Sequence, residues 1–455
     1  MLARGLLHFH VPRYPVHMST TLIRNGRIID PARGLDSTGD LLITDGRIAS
    51  IHVEGDPSPP ADDSIDATGC IVCPGLIDIH VHFRDPHHGQ GHEETIALGS
   101  AAAVAGGFST VCCMPNTSPA LDTPELVTGV LQRGRDAQLA RVHTVACGTI
   151  GRRGEAIAPI SDLIAAGAIG ISDDGDGIAD NAMMRRILEA VATADSCFMQ
   201  HCQDPEATKG SVMNAGPLAT KLGLIGWPAS AEEAMLQRDL ELNADIGARY
   251  HAQHLSSGGS VELIRAARAQ GQPATGEVSP HHLLLTEDAC SGCDTNAKMN
   301  PPLRRREDID ALKAGISDGT ITILGTDHAP HPAHTKAVDF AAASFGIVGL
   351  ECALPLYRKA LIDDGVLDWP QMLAMMTCNP ARLVGLDTEG LGSLAEGGPA
   401  DLTIIDPDLE WIIDADAFMS SGRNCPFHGW TVRGRSIKTI VAGTVVHDRA
   451  AAITA

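Results

Sequence analysis

Apolar and polar positions alternate along this chain in two distinct ways. At both ends the period is two. Residues 22–30 place Asn25-Gly26 between apolar runs, and residues 41–51 do the same around Asp45-Gly46. Each predicts a hairpin with a two-residue turn, because Asn-Gly and Asp-Gly accept the positive φ such turns need. A Pro- and Asp-rich stretch, residues 55–63, follows. Residues 400–411 and 432–448 again read as short strands with Gly turns. The two ends are therefore expected to be halves of one small β-domain.

The middle of the chain has another rhythm. Short apolar runs at 70–80, 108–115, 140–147, 167–174, 196–202, 248–255, 272–280 and 320–330 alternate with helical patterns such as 94–107 and 181–194. Eight strand candidates separated by helices predict a (β/α)8 TIM barrel, an α/β fold, joined to a small β-sandwich domain formed from both termini. The implied boundaries are 19–72 and 393–455 for the two parts of the β-domain and 73–392 for the barrel. Residues 1–18 are expected to be a disordered tail or an over-extended start, since Met18 precedes the first regular pattern. A doubly wound sheet has a similar rhythm, but there is no Gly-rich dinucleotide fingerprint or phosphate loop to support it.

Composition narrows the partners. Against 34 Lys+Arg stand 56 Asp+Glu, a net charge of −22, which speaks against nucleic acid and anionic membrane surfaces. No apolar stretch reaches the roughly 18 residues that span a bilayer, and the first twenty residues, broken by His, Arg and Pro, make a poor signal peptide. Twelve Cys in so long a chain do not resemble a secreted disulfide framework, so a cytoplasmic location is expected. Aromatic residues are only 3 % of the chain, which leaves the core to Ala, Ile, Leu and Val.

The 20 His acquire meaning from position. His80 and His82, on a strand, share a face and can point at one metal, with Asp78 behind them. Asp173-Asp174, His201, His254 and Asp327 each follow a different strand candidate. In a barrel that end of the strands is where chemistry is built. Four His and two Asp on one rim fit a hydrolytic metal site. Cys70-x-x-Cys73 and Cys290-x-x-Cys293 have zinc-knuckle spacing but are read as free thiols. Cys112-Cys113 and Met183-Met184 are read as packing, and His87, His88, His92 and His334 as solvated.

At this point the motifs reach a family. CPGLIDIHVHFRDP, GGFSTVCCMPNT, ISDDGDG, EVSPHHLLLTEDA, KMNPPLR, GTDHAPH and SFGIVGLE closely resemble dihydroorotases of the bacterial long-chain type, in the cyclic amidohydrolase branch of the metal-dependent hydrolases. The resemblance runs from about Leu22 to the last strands. It implies that His80, His82 and Asp327 hold one Zn2+ and His201 and His254 another, with Asp174 bridging where many amidohydrolases use a carboxylated Lys. One or two ions per subunit are implied, and two are expected. Asp174 rather than Asp173 takes the bridge because its spacing to His201 matches the family. His281-His282 belongs to a family signature but is expected to hydrogen-bond structurally rather than to bind metal.

The same resemblance implies a substrate side. An unreactive carboxylate needs a local cation in so acidic a protein, and Arg84 offers a planar fork for it. His82, Asn116 and His331 would join Arg84, and Asn300 with Phe345-Gly346 would complete the pocket. Asp327 would be the catalytic residue, general base for the attacking water and general acid for the ring nitrogen. The long, small-residue-rich segment 332–344 reads as a flap over the barrel mouth.

The implied activity is zinc-dependent, reversible cyclisation of N-carbamoyl-L-aspartate to L-dihydroorotate in pyrimidine biosynthesis. Two alternatives are weighed: another cyclic amidohydrolase acting on hydantoins, dihydropyrimidines or allantoin, and a catalytically dead partner of aspartate carbamoyltransferase. The first usually carries the carboxylated Lys and lacks the Arg after His-x-His; the second has typically lost metal ligands. A small-molecule substrate and a homodimer are expected, and association with aspartate carbamoyltransferase is left open.

Overall fold

The computed structural model describes residues 19–53, 55–86 and 94–449. The expected tail at 1–18 and the expected solvated His87, His88 and His92 lie outside the described residues.

Both ends of the chain enter one eight-stranded sheet. Its order runs Thr444–Asp448, Thr431–Val441, Leu402–Ile412, Ile71–Pro74, Thr20–Asp30, Leu35–Thr44 and Arg47–Val53, with Asp63–Asp66 beside Thr20–Asp30. Side chains from opposite halves of that order meet: Leu41, Ile43 and Ile48 share one buried cluster with Leu402, Ile404 and Ile440. The sheet is thus folded over its own apolar face, which is the β-sandwich that period-two patterning requires.

One expected hairpin is corrected. Asn25-Gly26 does not turn the chain, since Thr20–Asp30 is a single strand with a β-bulge between Ile23 and Gly26. Asn25 takes the positive φ of 60°, but its backbone N–H is caught by Asp40 Oδ1 at 2.9 Å. Two residues therefore oppose one and the strand continues. The chain reverses instead at 31–34, while Asp45-Gly46 forms its turn as expected, with φ of 48° and 76°.

A second correction concerns the first barrel candidate, which splits in two. Ile71–Pro74 belongs to the sandwich, and only Leu76–Val81 enters the barrel. Gly75 allows the crossing, because a Cβ there would lie 2.1 Å from Ser109 Oγ. Cys73 accordingly sits in the sandwich sheet, and Cys70 immediately precedes its strand. Among the described residues neither Cys-x-x-Cys pair belongs to a metal-binding group.

The barrel strands pair in parallel in chain order: Leu76–Val81, Phe108–Cys113, Arg141–Thr144, then Cys197–Gln200, Arg249–Ala252, Ala274–Val278 and Ile323–Leu324. The run 167–174 contributes only bridges, from Ile171 to Ala146 on one side and to Phe198 on the other. A bridge from Val81 to His328 closes the ring. Helix Ile96–Gly106 starts at Thr95, whose side chain accepts from Leu98 N, and ends at Gly107 with φ 97°. Helix Asn181–Thr193 buries Met183 and Met184 as expected. Cys112 and Cys113 are buried in the core. Among the described residues no helix is long and apolar enough to cross a membrane.

Candidate active site

The strand ends converge on one buried cluster. His80 is the penultimate residue of the first barrel strand, and its Nε2 lies 3.5 Å from both Asp174 Oδ1 and Asp327 Oδ1. His82 Nε2 is 2.9 Å from Asp327 Oδ1 and 3.5 Å from Asp174 Oδ2. His201 Nδ1 and His254 Nε2 each stand 3.6 Å from Asp174 Oδ1 and 2.7 Å from one another. Among the described residues Asp174 is thus the one carboxylate within 3.6 Å of all four imidazoles. His254 and Asp327 hold positive φ values of 32° and 49°, a cost of about 1–3 kcal/mol each for non-Gly residues that turns their side chains inward.

This donor set fits a metal. His80 Nε2 and Asp174 Oδ1 are buried and have no hydrogen-bond partner, which is unfavourable unless something else satisfies them. Burial alone lowers the pKa of His80, but Glu277, Asp327 and Asp174 outweigh it and raise it well above the usual value. Buried carboxylates thus call for positive charge at this point. His80, His82 and Asp327 form one close ligand group, and His80, Asp174 and His254 form a second.

Second partners fix which nitrogen faces inward. His82 Nδ1 bonds Asn116 Oδ1 at 2.8 Å, and His201 Nε2 bonds Gln203 Oε1 at 2.8 Å. His80 Nδ1 bonds Glu277, whose other oxygen accepts from His251 Nε2 at 3.1 Å. Glu277 also accepts from the backbone N–H of His254 at 3.2 Å. Sequence reading missed Glu277 and Gln203. A lone carboxylate inside the apolar run 272–280 was the available signal for Glu277. Asp173, the rejected neighbour, turns away to accept from Gly148 N, Thr149 N and the Thr149 hydroxyl.

A cavity of about 310 Å³ opens above the cluster. His82, Asp174, His201, His254 and Asp327 form its floor, and Arg84, Asn116, Asn300, His331, Phe345 and Gly346 its walls. Every predicted site residue but the deeper His80 therefore borders one space. Asn116, expected only at the substrate, also donates to Asp174 Oδ2 at 3.3 Å. Burial first, then Arg84, pushes His331 down to about 3, so its ring is neutral.

Three further expectations find their places. His281 and His282 are buried, and His282 Nε2 donates to Pro301 O at 3.0 Å, a structural bond as expected. The segment 332–344 is folded down: Lys298 Nζ donates to Phe340 O and Ala341 O, and Lys336 Nζ to Thr295 O and Lys298 O. His334 is exposed.

Residues 71–446 match the amidohydrolase family. Among curated relatives, the dihydroorotase of Geobacter sp. (strain M21) is 44 % identical over 94 % of this chain and 99 % of its own. That of Syntrophotalea carbinolica is 45 % identical over 94 % and 98 %. Among solved structures, the L-hydantoinase of Arthrobacter aurescens aligns with a TM-score of 0.83 at 26 % identity, covering 94 % of this chain and 96 % of that one. The dihydropyrimidinase of Brevibacillus agri aligns with a TM-score of 0.82 at 21 % identity, over 94 % and 95 %; that likeness shows the fold alone.

Proposed function

We propose a function on one premise: this chain belongs to the amidohydrolase family and, within it, to the dihydroorotases. It is an enzyme of pyrimidine biosynthesis that interconverts L-dihydroorotate and N-carbamoyl-L-aspartate by opening or closing the C–N bond of a cyclic amide. The observation that carries this reading over a hydantoinase or dihydropyrimidinase is Arg84 in the wall of the cavity above the ligand cluster. A guanidinium there suits a ring bearing a carboxylate, and a hydantoin or dihydrouracil ring has none. Convergence of all six candidate ligands argues against a dead homologue.

In this reading His80, His82 and Asp327 would hold one ion and His201 and His254 a second, with Asp174 contributing to both. Zinc suits such imidazole and carboxylate donors. When bound, the metal supplies Lewis acidity toward the ring carbonyl and a nucleophilic water near neutral pH. Arg84 holds the unreactive carboxylate in two parallel hydrogen bonds, beside Asn116 and the neutral His331. Asn300 and Phe345-Gly346 close the pocket around the ring. Burial opposes ionisation of Asp327, but His80, His82 and His254 hold it at about 2, ionised and able to accept a proton. In ring opening Asp327 takes a proton from water as its oxygen joins the carbonyl carbon. It returns that proton to the ring nitrogen as the C–N bond breaks.

The test is ring opening of dihydroorotate at alkaline pH and closure of carbamoyl aspartate at acidic pH, with and without a chelator. Turnover that the chelator abolishes is expected. No turnover in either direction by folded, metal-loaded protein would refute the reading.

A further inference from the structure

The cavity wall that carries His331 and Gly346 is held from behind by a segment far away in sequence. Asn424 is 3 % exposed and does not border the cavity. Its Oδ1 accepts from the backbone N–H of His331 at 3.2 Å. Its Nδ2 donates to Ala329 O and Gly346 O, both at 2.9 Å. Its own carbonyl accepts from Val348 N at 3.1 Å. One side-chain amide thus joins the backbone after the eighth barrel strand to the backbone at Gly346.

The two segments meet at the substrate side. A Cβ on Gly346 would lie 2.9 Å from His331 Nε2, so a small shift of either would change the shape of that wall. Gly422 lets the segment approach, since a Cβ there would lie 2.7 Å from Val348 Cγ1 and 2.8 Å from Pro330 Cβ.

The same segment reaches Arg84. Ser421 N and the Ser420 hydroxyl donate to Glu94 Oε2, and Glu94 Oε1 accepts from His328 Nε2 at 2.7 Å. The Glu94 carbonyl accepts from the backbone N–H of Arg84 at 2.8 Å. Residues 420–424 therefore tie together the three segments bearing Arg84, His331 and Gly346. The metal ligands, by contrast, are held mainly by strand ends and by Glu277, Gln203 and Asn116.

We propose that Asn424 is a positioning residue for substrate specificity, fixing His331 and Gly346 against the carboxylate that Arg84 receives. This rests on the dihydroorotase reading above. Loss of the amide leaves a buried N–H and two carbonyls unpaired, and the wall relaxes while the metal cluster stays.

The test compares the wild-type enzyme with Asn424→Ala, which removes all three side-chain bonds, and Asn424→Asp, which keeps the acceptor for His331 and loses both donors. KM for dihydroorotate is expected to rise at least about tenfold with kcat within about threefold, the signature of lost binding rather than lost chemistry. Metal content should be unchanged. Inhibition by orotate, which carries the carboxylate, should weaken in parallel, while inhibition by uracil, the same ring without it, should not. If Asn424→Ala does not fold, Asn424→Asp carries the same test. Unchanged KM, or a loss of kcat that follows lost metal, would overturn the inference with the functional reading intact. A wild-type enzyme inert toward dihydroorotate would overturn both.

Discussion

His80 Nε2 and Asp174 Oδ1 face each other at 3.5 Å, both buried and both without a hydrogen-bond partner. Glu277 and Asp327 stand close by, so this part of the barrel gathers negative charge that only a cation relieves. Metal removal is therefore expected to destabilise the protein as well as silence it. At about a hundred times its Kd, an ion that binds only the folded state adds roughly 2.7 kcal/mol. Thermal melts of chelated and zinc-reloaded protein check this. Identical melting temperatures, with metal analysis confirming removal and reloading, would contradict it.

Glu277 joins both halves of that cluster through His80 Nδ1 and the backbone of His254. Glu277→Gln keeps the shape but loses the charge that orients His80. Metal affinity should fall about 10–100-fold, as for other carboxylates behind a ligating imidazole. Competition titration against a chromophoric chelator measures it. Wild-type affinity in the variant would remove Glu277 from the account.

Asp327→Asn retains the side-chain volume but cannot accept the proton. Turnover should drop at least about 100-fold, with far-ultraviolet circular dichroism and melting cooperativity preserved. A variant with wild-type turnover would refute the assigned role.

Lys336 sets a pH dependence. Burial, and then the charge of Lys298, push its ammonium from 10.5 down to about 7. Between those values the unfolded chain binds a proton that the folded protein does not, so stability rises with pH across that window. The penalty is complete below about pH 7 and fades toward pH 10.5. Relative to Lys336→Met, the wild-type protein should gain stability between about pH 7 and about pH 9.5, at no more than about 1.4 kcal/mol per pH unit. Urea midpoints of both proteins at the two pH values decide the matter; a constant difference between them would contradict the assignment.

Much of this protein was legible in its sequence because its signals are local. Strand periodicity and the spacing of His80 and His82 need only a few neighbouring residues to be read, and in a barrel the residue after each strand must face one rim. That made the Asp173-Asp174 pair, His201, His254 and Asp327 recoverable one strand at a time. Asn25-Gly26 misled because its turn propensity is equally compatible with a bulge, and Asp40, fifteen residues away, decided between them. Glu277, Glu94 and Asn424 became intelligible only once the chain was folded. Their partners lie on other elements, and a hydrogen bond between segments distant in sequence leaves no period in the chain. The barrel rhythm, the imidazole and carboxylate types at the strand ends and the place of Arg84 two residues after His82 are written in the order of residues, because each depends on neighbours a few positions apart. Packing between distant segments settled which imidazole nitrogen faces inward, which of two adjacent aspartates joins the cluster, and what holds the pocket wall in place.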